Sequence, residues 1–348
     1  MKKLDNQTLN RLLYSVNKPY QYAGHELYSY NKDFETSEVR FAIAFPDKYE
    51  VGASNLGHRI IYETLNSIDG CMCDRAYAPD TDCKAEIEKQ DLYLYAVESK
   101  VRLKDFDLLG FSLQYELAYP TVLAMMNMAD IPVKNADRTE DDPIILSGGP
   151  CAFNPEPMRE FIDGFLIGDG EDILKEVVET YKLAKNQGKT RKQIIALLAE
   201  IDGLYVPALH KGKKINKRIY DFSSDSVPRK HPVPFSTSIH DRAVTEIRRG
   251  CGRMCRFCQP GHVNLPIRER KAEDIIEITK NLVKNTGYDE FSMLSLSSND
   301  YTNIEPVLEE LTCYFSDKKV SASLPSQRID RFNICLLYTS PSPRDMRR

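Results

Sequence analysis

Three of the nine cysteines in this 348-residue chain fall within eight positions, as Cys251, Cys255 and Cys258. The C-x3-C-x2-C spacing puts three thiols on one short loop, and Gly250 and Gly252 permit tight backbone turns beside the first of them. Three thiolates can hold three irons of a cubane cluster and leave the fourth iron open to a substrate or cofactor, whereas four-cysteine schemes close the cluster completely. The competing chemistry is structural zinc, which usually takes four ligands, often as two close pairs. Its fourth ligand would have to be His262, Cys313 or Cys335, none of which stands at a characteristic spacing. The loop's residues alone leave both occupants open, a thiolate-bound iron–sulfur cluster and a structural zinc. In the same loop, Phe257 is expected to pack beside the cluster, and Arg253 and Arg256 to be solvated or to face an anion.

The composition sets bounds on the rest. Hydrophobic residues make up 42% and charged residues 28%, an ordinary globular balance, and the length suggests about two domains. A net charge of −4 argues against a bulk electrostatic grip on nucleic acid, though a local basic groove remains compatible with it. No apolar run approaches the ~20 residues of a membrane span, so no membrane partner is expected. Residues 1–20 carry no signal-peptide core. Clustered cysteines in such a chain favour metal or redox chemistry in a reducing compartment, and the expected location is cytoplasmic.

The cysteine loop needs elements to position it. Residues 243–247 read as a strand just before it, followed by helix 272–284, strand 290–296, helix 304–315 and strand 319–324. Polar runs follow the later strands: Ser297-Ser298-Asn299-Asp300 and Pro325-Ser326-Gln327-Arg328. Parallel barrels place ligands at the carboxyl ends of their strands. An earlier series, 38–185, also alternates strands (39–45, 92–97, 107–113, 144–147, 161–167) with helices (56–66, 119–130, 171–186). That alternation predicts an α/β domain with a mostly parallel sheet. Its glycine-rich and polar stretches, 47–57, 112–116, 148–157 and 168–171, follow strands, where open sheets bind ligands. Residues 1–37 form an N-terminal extension whose tyrosines are expected to pack onto the domain behind it. Residues 186–240 read as a connector: a helix capped by Thr190, a lysine-rich hairpin around Lys211-Gly212, and a Ser/Pro-rich linker over 223–238.

The run Arg249-Gly250-Cys251-Gly252-Arg253-Met254-Cys255-Arg256-Phe257-Cys258-Gln259 resembles the radical S-adenosylmethionine (SAM) enzymes, and in particular those with an N-terminal cobalamin-binding-like domain. The resemblance implies a Rossmann-like domain of the cobalamin-binding type over 38–185, followed by the first half of a partial (βα) radical SAM barrel over 241–335. It implies a 4Fe–4S cluster on Cys251, Cys255 and Cys258 with SAM on the fourth iron. Ser297, Ser298 and Asn299 would then lie near the amino and carboxylate groups of SAM, with Ser326 and Arg328 nearby. In the first domain, members of the family often carry Asp-x-His-x-x-Gly, the histidine supplying the lower cobalt ligand. Here the stretch is Asp47-Lys48-Tyr49-Glu50-Val51-Gly52, with Tyr49 where the histidine would stand. A neutral phenol is a poor cobalt ligand. Ser112-Leu113, Gly148-Gly149 and Gly168-Asp169-Gly170-Glu171 resemble the family's other features. Two readings stand: cobalamin bound without a histidine ligand, or a fold that has kept its shape and lost that cofactor.

The implied reaction is reductive cleavage of SAM to methionine and a 5′-deoxyadenosyl radical, with electrons from an external donor and cobalamin-assisted methyl transfer as one outcome. An alternative is cobalamin-free modification of RNA or protein, similar to the methylthiotransferases. Their second cluster would have to draw on Cys71, Cys73 and Cys83, although the C-x-C spacing departs from that family's pattern. A non-enzymatic, metal-binding Rossmann-like module is the remaining alternative. Residues 336–348 do not continue the barrel pattern and read as a non-native tail. The expectation is an N-terminal fragment of a longer enzyme that is itself inactive.

Overall fold

In the computed structural model, residues 3–221, 229–236 and 238–331 are described. The tail at 336–348 and part of the 223–238 linker lie outside them. The chain divides into two units, Met1–Tyr220 with Pro232–Ile239, and Asp221–His231 with His240–Arg348.

The first unit is built on a six-stranded sheet in the order β2-β1-β3-β4-β5-β6. The strands are β1 (Val39–Phe45), β2 (Cys71–Tyr77), β3 (Leu108–Ser112), β4 (Ile144–Gly148), β5 (Gly164–Leu166) and β6 (Leu204–Tyr205). All neighbours pair in parallel except β6, which runs antiparallel to β5 and makes the sheet mixed. Successive side chains of a strand face opposite sides of the sheet. In β1, Phe41 and Ile43 enter one core while Ala42 and Ala44 enter the other. The Phe41 face is covered by α4 (Leu56–Asn66), α7 (Gly170–Asn186) and α8 (Arg191–Leu198), through Tyr62, Leu65, Val177, Val178, Ile194 and Leu198. The Ala42 face is covered by α6 (Tyr119–Met128), through Val122, Met125 and Met126. Helices on both faces explain why β1 to β4 are buried almost throughout.

Several expectations about this unit need correction. Strand β2 was not anticipated, because Asp74 and Arg75 interrupt its apolar pattern. Both are buried, Arg75 by pairing with Glu26 (2.7 Å) and Glu98, and Asp74 by accepting the backbone N–H groups of Glu98 and Ser99. The strand expected over 92–97 is reduced to an isolated bridge between Tyr95 and Arg102. The lysine-rich hairpin does not form. Leu204–Tyr205 pairs instead with β5, and the helix before it, closed at its N-terminus by a Thr190–Gln193 capping box, packs into the same core. In the N-terminal extension, α1 (Asn6–Ser15) and α2 (Tyr20–Ala23) pack Leu12 and Tyr22 against α5 (Thr81–Lys89). Tyr20 and Tyr30 are bonded to Glu50 and Glu63, whereas Tyr14 is exposed.

The second unit holds a three-stranded parallel sheet, β11-β10-β7, of β7 (Ala243–Glu246), β10 (Glu290–Leu294) and β11 (Ser321–Ser323). The helices α10 (Ala272–Thr286) and α11 (Ile304–Phe315) bury Ile275, Ile278, Leu282, Val307, Leu308 and Leu311 against Phe291 and Met293. Glu273 and Asp274 sit in the first turn of α10, where the helix dipole favours negative charge, and Gly287 closes it in the left-handed region. Two consecutive βα units with strands in sequence order match the expected alternation. A short antiparallel pair, β8 (Arg248–Arg249) with β9 (Arg268–Glu269), was not anticipated and frames the cysteine loop.

Candidate functional site

The cysteine loop begins just beyond the carboxyl end of β7. Its two ends are joined by the β8–β9 pair, in which Arg248 faces Glu269 and Arg249 faces Arg268. Gly250 turns the chain out of β8 with φ +88, and a Cβ there would lie 2.6 Å from the Asn264 carbonyl oxygen and 2.8 Å from that of Pro266. The loop thus closes on its own backbone at a point where only glycine fits. Cys251, Cys255 and Cys258 are free thiols of intermediate exposure. The Cys258 N–H donates to the Cys255 carbonyl (2.9 Å), and His262 Nε2 lies 3.3 Å from the same oxygen, on the short helix α9 (Pro260–Val263). Among the described residues, no three His, Cys, Asp or Glu side chains converge into a ready-made metal cage. What the loop supplies is a donor set: three uncommitted, accessible thiols on one tethered loop, the chemistry that suits a thiolate-ligated cluster. Phe257 does not pack as expected. It is 93% exposed, with no described element covering its side chain.

Arg253 is not simply solvated. It sits in the spacer between the first two cysteines and donates to Asp300 through Nε (3.0 Å) and Nη2 (2.5 Å). Asp300 also accepts from the Ser297 hydroxyl (2.8 Å), and Arg331 Nε lies 3.7 Å away. The Arg253 bond, followed by that of Ser297, holds the Asp300 carboxyl down at about 2 against the pull of burial. Asp300 was visible in the sequence, but its partner 47 positions away was not.

The residues expected around SAM are together but occupied. Ser297, Ser298 and Asn299 follow β10, and all three are buried. Ser298 Oγ lies 2.7 Å from the Pro325 carbonyl and 3.2 Å from that of Met293. Asn299 donates to the Arg328 carbonyl (2.7 Å) and accepts from the Arg328 N–H (3.0 Å). The Ser298 N–H donates to the Ser326 carbonyl (3.1 Å), and Arg328 pairs with Asp330. Ser298, Asn299, Ser326 and Arg328 therefore bind the loop after β10 to the loop after β11, while Ser297 bonds within its own loop to Asp300.

In the first unit, Tyr49 opens the short helix α3 (Tyr49–Ser54) and is 3% exposed. Its hydroxyl donates to the buried Glu26 carboxylate, and its ring packs edge-on against Tyr20 and Tyr77. Gly52 lies under the Tyr77 ring, 2.6 Å from where a Cβ would point. A side chain so committed does not fit the role of a cobalt ligand. Ser112, Gly148 and Gly149 stand half-exposed at the carboxyl ends of β3 and β4. Gly149, at φ +103, is needed for close approach to the Leu113 backbone, since a Cβ there would lie 2.6 Å from the Leu113 carbonyl oxygen. His58 is buried against Phe45 and Tyr77, and neither ring nitrogen has a hydrogen-bond partner. Burial, reinforced by Arg75 and Arg59, pushes its pKa down to about 3.

The second-cluster reading is overturned here. Cys71 and Cys73 lie within the fully buried strand β2, and Cys83 lies in a separate core on α5. Burial pushes the Cys71 and Cys83 thiols up to about 12 and raises that of Cys73 well above the ordinary thiol range. Thiols this hard to ionise and this inaccessible do not make a shared cluster site.

Comparison with known proteins agrees with this architecture. Residues 57–207 match the family model "Radical SAM proteins, N-terminal". An uncharacterized protein of Methanocaldococcus jannaschii, MJ0966, is 26% identical over 297 residues, covering 84% of this chain and 56% of that protein. Among solved structures, the radical SAM methyltransferase TsrM of Kitasatospora setae, with cobalamin and a [4Fe-4S] cluster bound, superposes with a TM-score of 0.52 at 13% identity. That match covers 87% of this chain and 57% of TsrM, and TsrM with tryptophan and a SAM analogue bound gives the same TM-score. The chain thus spans just over half the length of the proteins it matches. Among the described residues, no helix is long and apolar enough to cross a membrane.

Proposed function

We propose that the chain, whose residues 57–207 match the radical SAM N-terminal model, is a radical SAM protein in which Cys251, Cys255 and Cys258 hold a 4Fe–4S cluster whose remaining iron takes SAM. The observation that carries the reading is the loop itself. Three free, partly exposed thiols at the spacing C-x3-C-x2-C sit just beyond β7, tethered at both ends by β8 and β9. Such a cluster, when bound and reduced, supplies the electron that cleaves SAM.

The chain's own residues then have separable tasks. The three cysteines bind. Gly250 lets the loop fold back on residues 264–267. Ser298, Asn299, Ser326 and Arg328 bond the loops after β10 and β11 to each other, and with Ser297 would border SAM, Ser298 and Asn299 through backbone groups more than through their committed side chains. Phe257 and Met254 on the same loop are both exposed.

Methyl transfer is the outcome to test first, since TsrM, which shares the fold, is a methyltransferase. An external electron donor is required, and an RNA or protein substrate remains a proposal. Because Tyr49 is committed to Glu26, a cobalamin on the first unit would receive no side-chain ligand from that position, and no step is assigned to it. The test is anaerobic reconstitution of the full chain with iron and sulfide, followed by reduction in the presence of SAM. Bound iron and sulfide, with methionine and 5′-deoxyadenosine or a methylated product released, support the reading. Bound zinc without iron removes it.

A further inference from the structure

We propose that Arg253 and Asp300 form a positioning brace that locks the cysteine loop to the loop after β10, and that their paired charges set the electrostatic environment of whatever the three cysteines hold. The inference rests on the metal-site reading for its second half only; the brace itself is a property of the polypeptide.

Three observations carry it. Arg253 lies between Cys251 and Cys255, so whatever fixes its side chain fixes the segment joining two of the thiols. The contact is two-pronged, Nε to Oδ2 and Nη2 to Oδ1, the geometry in which a guanidinium orients a carboxylate as well as neutralising it. The Asp300 side chain is 5% exposed and stands on a rigid base. Its backbone N–H donates to the Ser297 carbonyl, its carboxylate accepts the Ser297 hydroxyl, and the adjoining Ser298 and Asn299 are bonded to the loop after β11. The cysteine spacer is therefore anchored to the sheet through Asp300.

Charge makes the pair more than a strut. Three thiolates and a carboxylate on adjoining loops repel one another, and the Arg253 guanidinium, bonded to the carboxylate and carried on the spacer between two of the thiols, offsets both. Removing Asp300 deprives Arg253 of its carboxylate, and removing Arg253 leaves Asp300 only Arg331 at 3.7 Å, so the two single losses have opposite electrostatic signs. Asp300→Asn leaves a free cation beside the thiols and should move the midpoint potential of a bound cluster upward. Arg253→Gln removes the cation carried between two of the thiols, leaves Asp300 paired only at 3.7 Å with Arg331, and should move it downward. The double variant should return close to the starting potential, and the exchanged pair R253D/D300R should recover the order of the loop. A purely steric strut would lower cluster occupancy in both single variants without opposite shifts.

The experiment uses the full chain in two arms. In the metal-free arm, amide hydrogen exchange is followed across residues 250–267. Each single variant should lose on the order of tenfold protection there, given a charge-assisted bond that is partly exposed on the arginine side. The α10 and α11 amides should be unchanged. Equal protection in all variants overturns the brace, and loss of protection throughout the second unit overturns it as a local device. In the reconstituted arm, the potential is read by redox titration with EPR detection. Opposite shifts in D300N and R253Q support the electrostatic role, and shifts of the same sign, or none, overturn it. Wild-type chain that takes up no iron overturns the metal-site reading and the electrostatic half together, while leaving the metal-free arm to decide the brace.

Discussion

The account of the cysteine loop can be tested at Gly250 without touching a cysteine. Gly250→Ala introduces one methyl group at a buried position with φ +88, 2.6 and 2.8 Å from two backbone carbonyl oxygens and 3.2 Å from the Ile267 Cα. None of these atoms is the end of a flexible side chain, so the loop must move. Placing an L-residue in the left-handed region costs about 1–2 kcal/mol. Relieving the contacts adds a cost of the size seen for overpacking, about 1–3 kcal/mol. Gly287→Ala is the control in the same unit. It has φ +75 at the end of α10 with nothing within 4 Å, so it should show the backbone cost alone. The difference between the two variants isolates the closure of the loop on residues 264–267. Urea unfolding of the second unit, with hydrogen exchange on residues 248–269, measures it. Gly250→Ala should destabilise by about 2–5 kcal/mol and lose protection at Arg248 to Glu269, while Gly287→Ala costs about 1–2 kcal/mol and leaves that pair protected. Equal effects of the two substitutions would refute the argument that loop closure demands glycine at 250.

Two further outcomes follow from the first unit. His58 is held neutral, with its pKa pushed down to about 3 by burial, while the unfolded chain protonates it near pH 6.5. The unfolded state therefore binds the extra proton between those values. This contribution to stability is full above about pH 6.5 and falls as pH drops towards 3, by up to about 1.4 kcal/mol per pH unit. His58→Phe should flatten that part of the profile in urea titrations, and an unchanged slope would contradict the burial argument. Brief native alkylation with iodoacetamide, read by mass spectrometry, should label Cys251, Cys255, Cys258 and the exposed Cys313, and spare the buried Cys71, Cys73 and Cys83. Rapid labelling of the last three would reopen the second-cluster reading.

The sequence made much of the scaffold legible where its signals are local. Apolar runs over β1, β3 and β4 and the amphipathic helices α4, α7 and α10 stand out by period alone. Strand β2 was hidden because its two charged residues are satisfied by Glu26, Glu98 and backbone groups distant in sequence. Strands β8 and β9 were hidden because two residues carry no periodicity, and only their pairing across the cysteine loop defines them. The expected hairpin failed for a related reason. Leu204 and Tyr205 alternate as a hairpin strand would, but β5 offers a buried edge. At the candidate site, spacing identified the three thiols, since ligand chemistry is written in residue type. The partner of Arg253 and the exposure of Phe257 are tertiary facts with no local signature.

The central claim is that Cys251, Cys255 and Cys258 bind a cluster, and the most direct measurement is iron and acid-labile sulfide per chain after anaerobic reconstitution. The expected result is about four of each in the wild-type chain, with a marked loss in each of C251A, C255A and C258A and none in C313A. Stoichiometric zinc without iron, or iron uptake indifferent to all three substitutions, would contradict it.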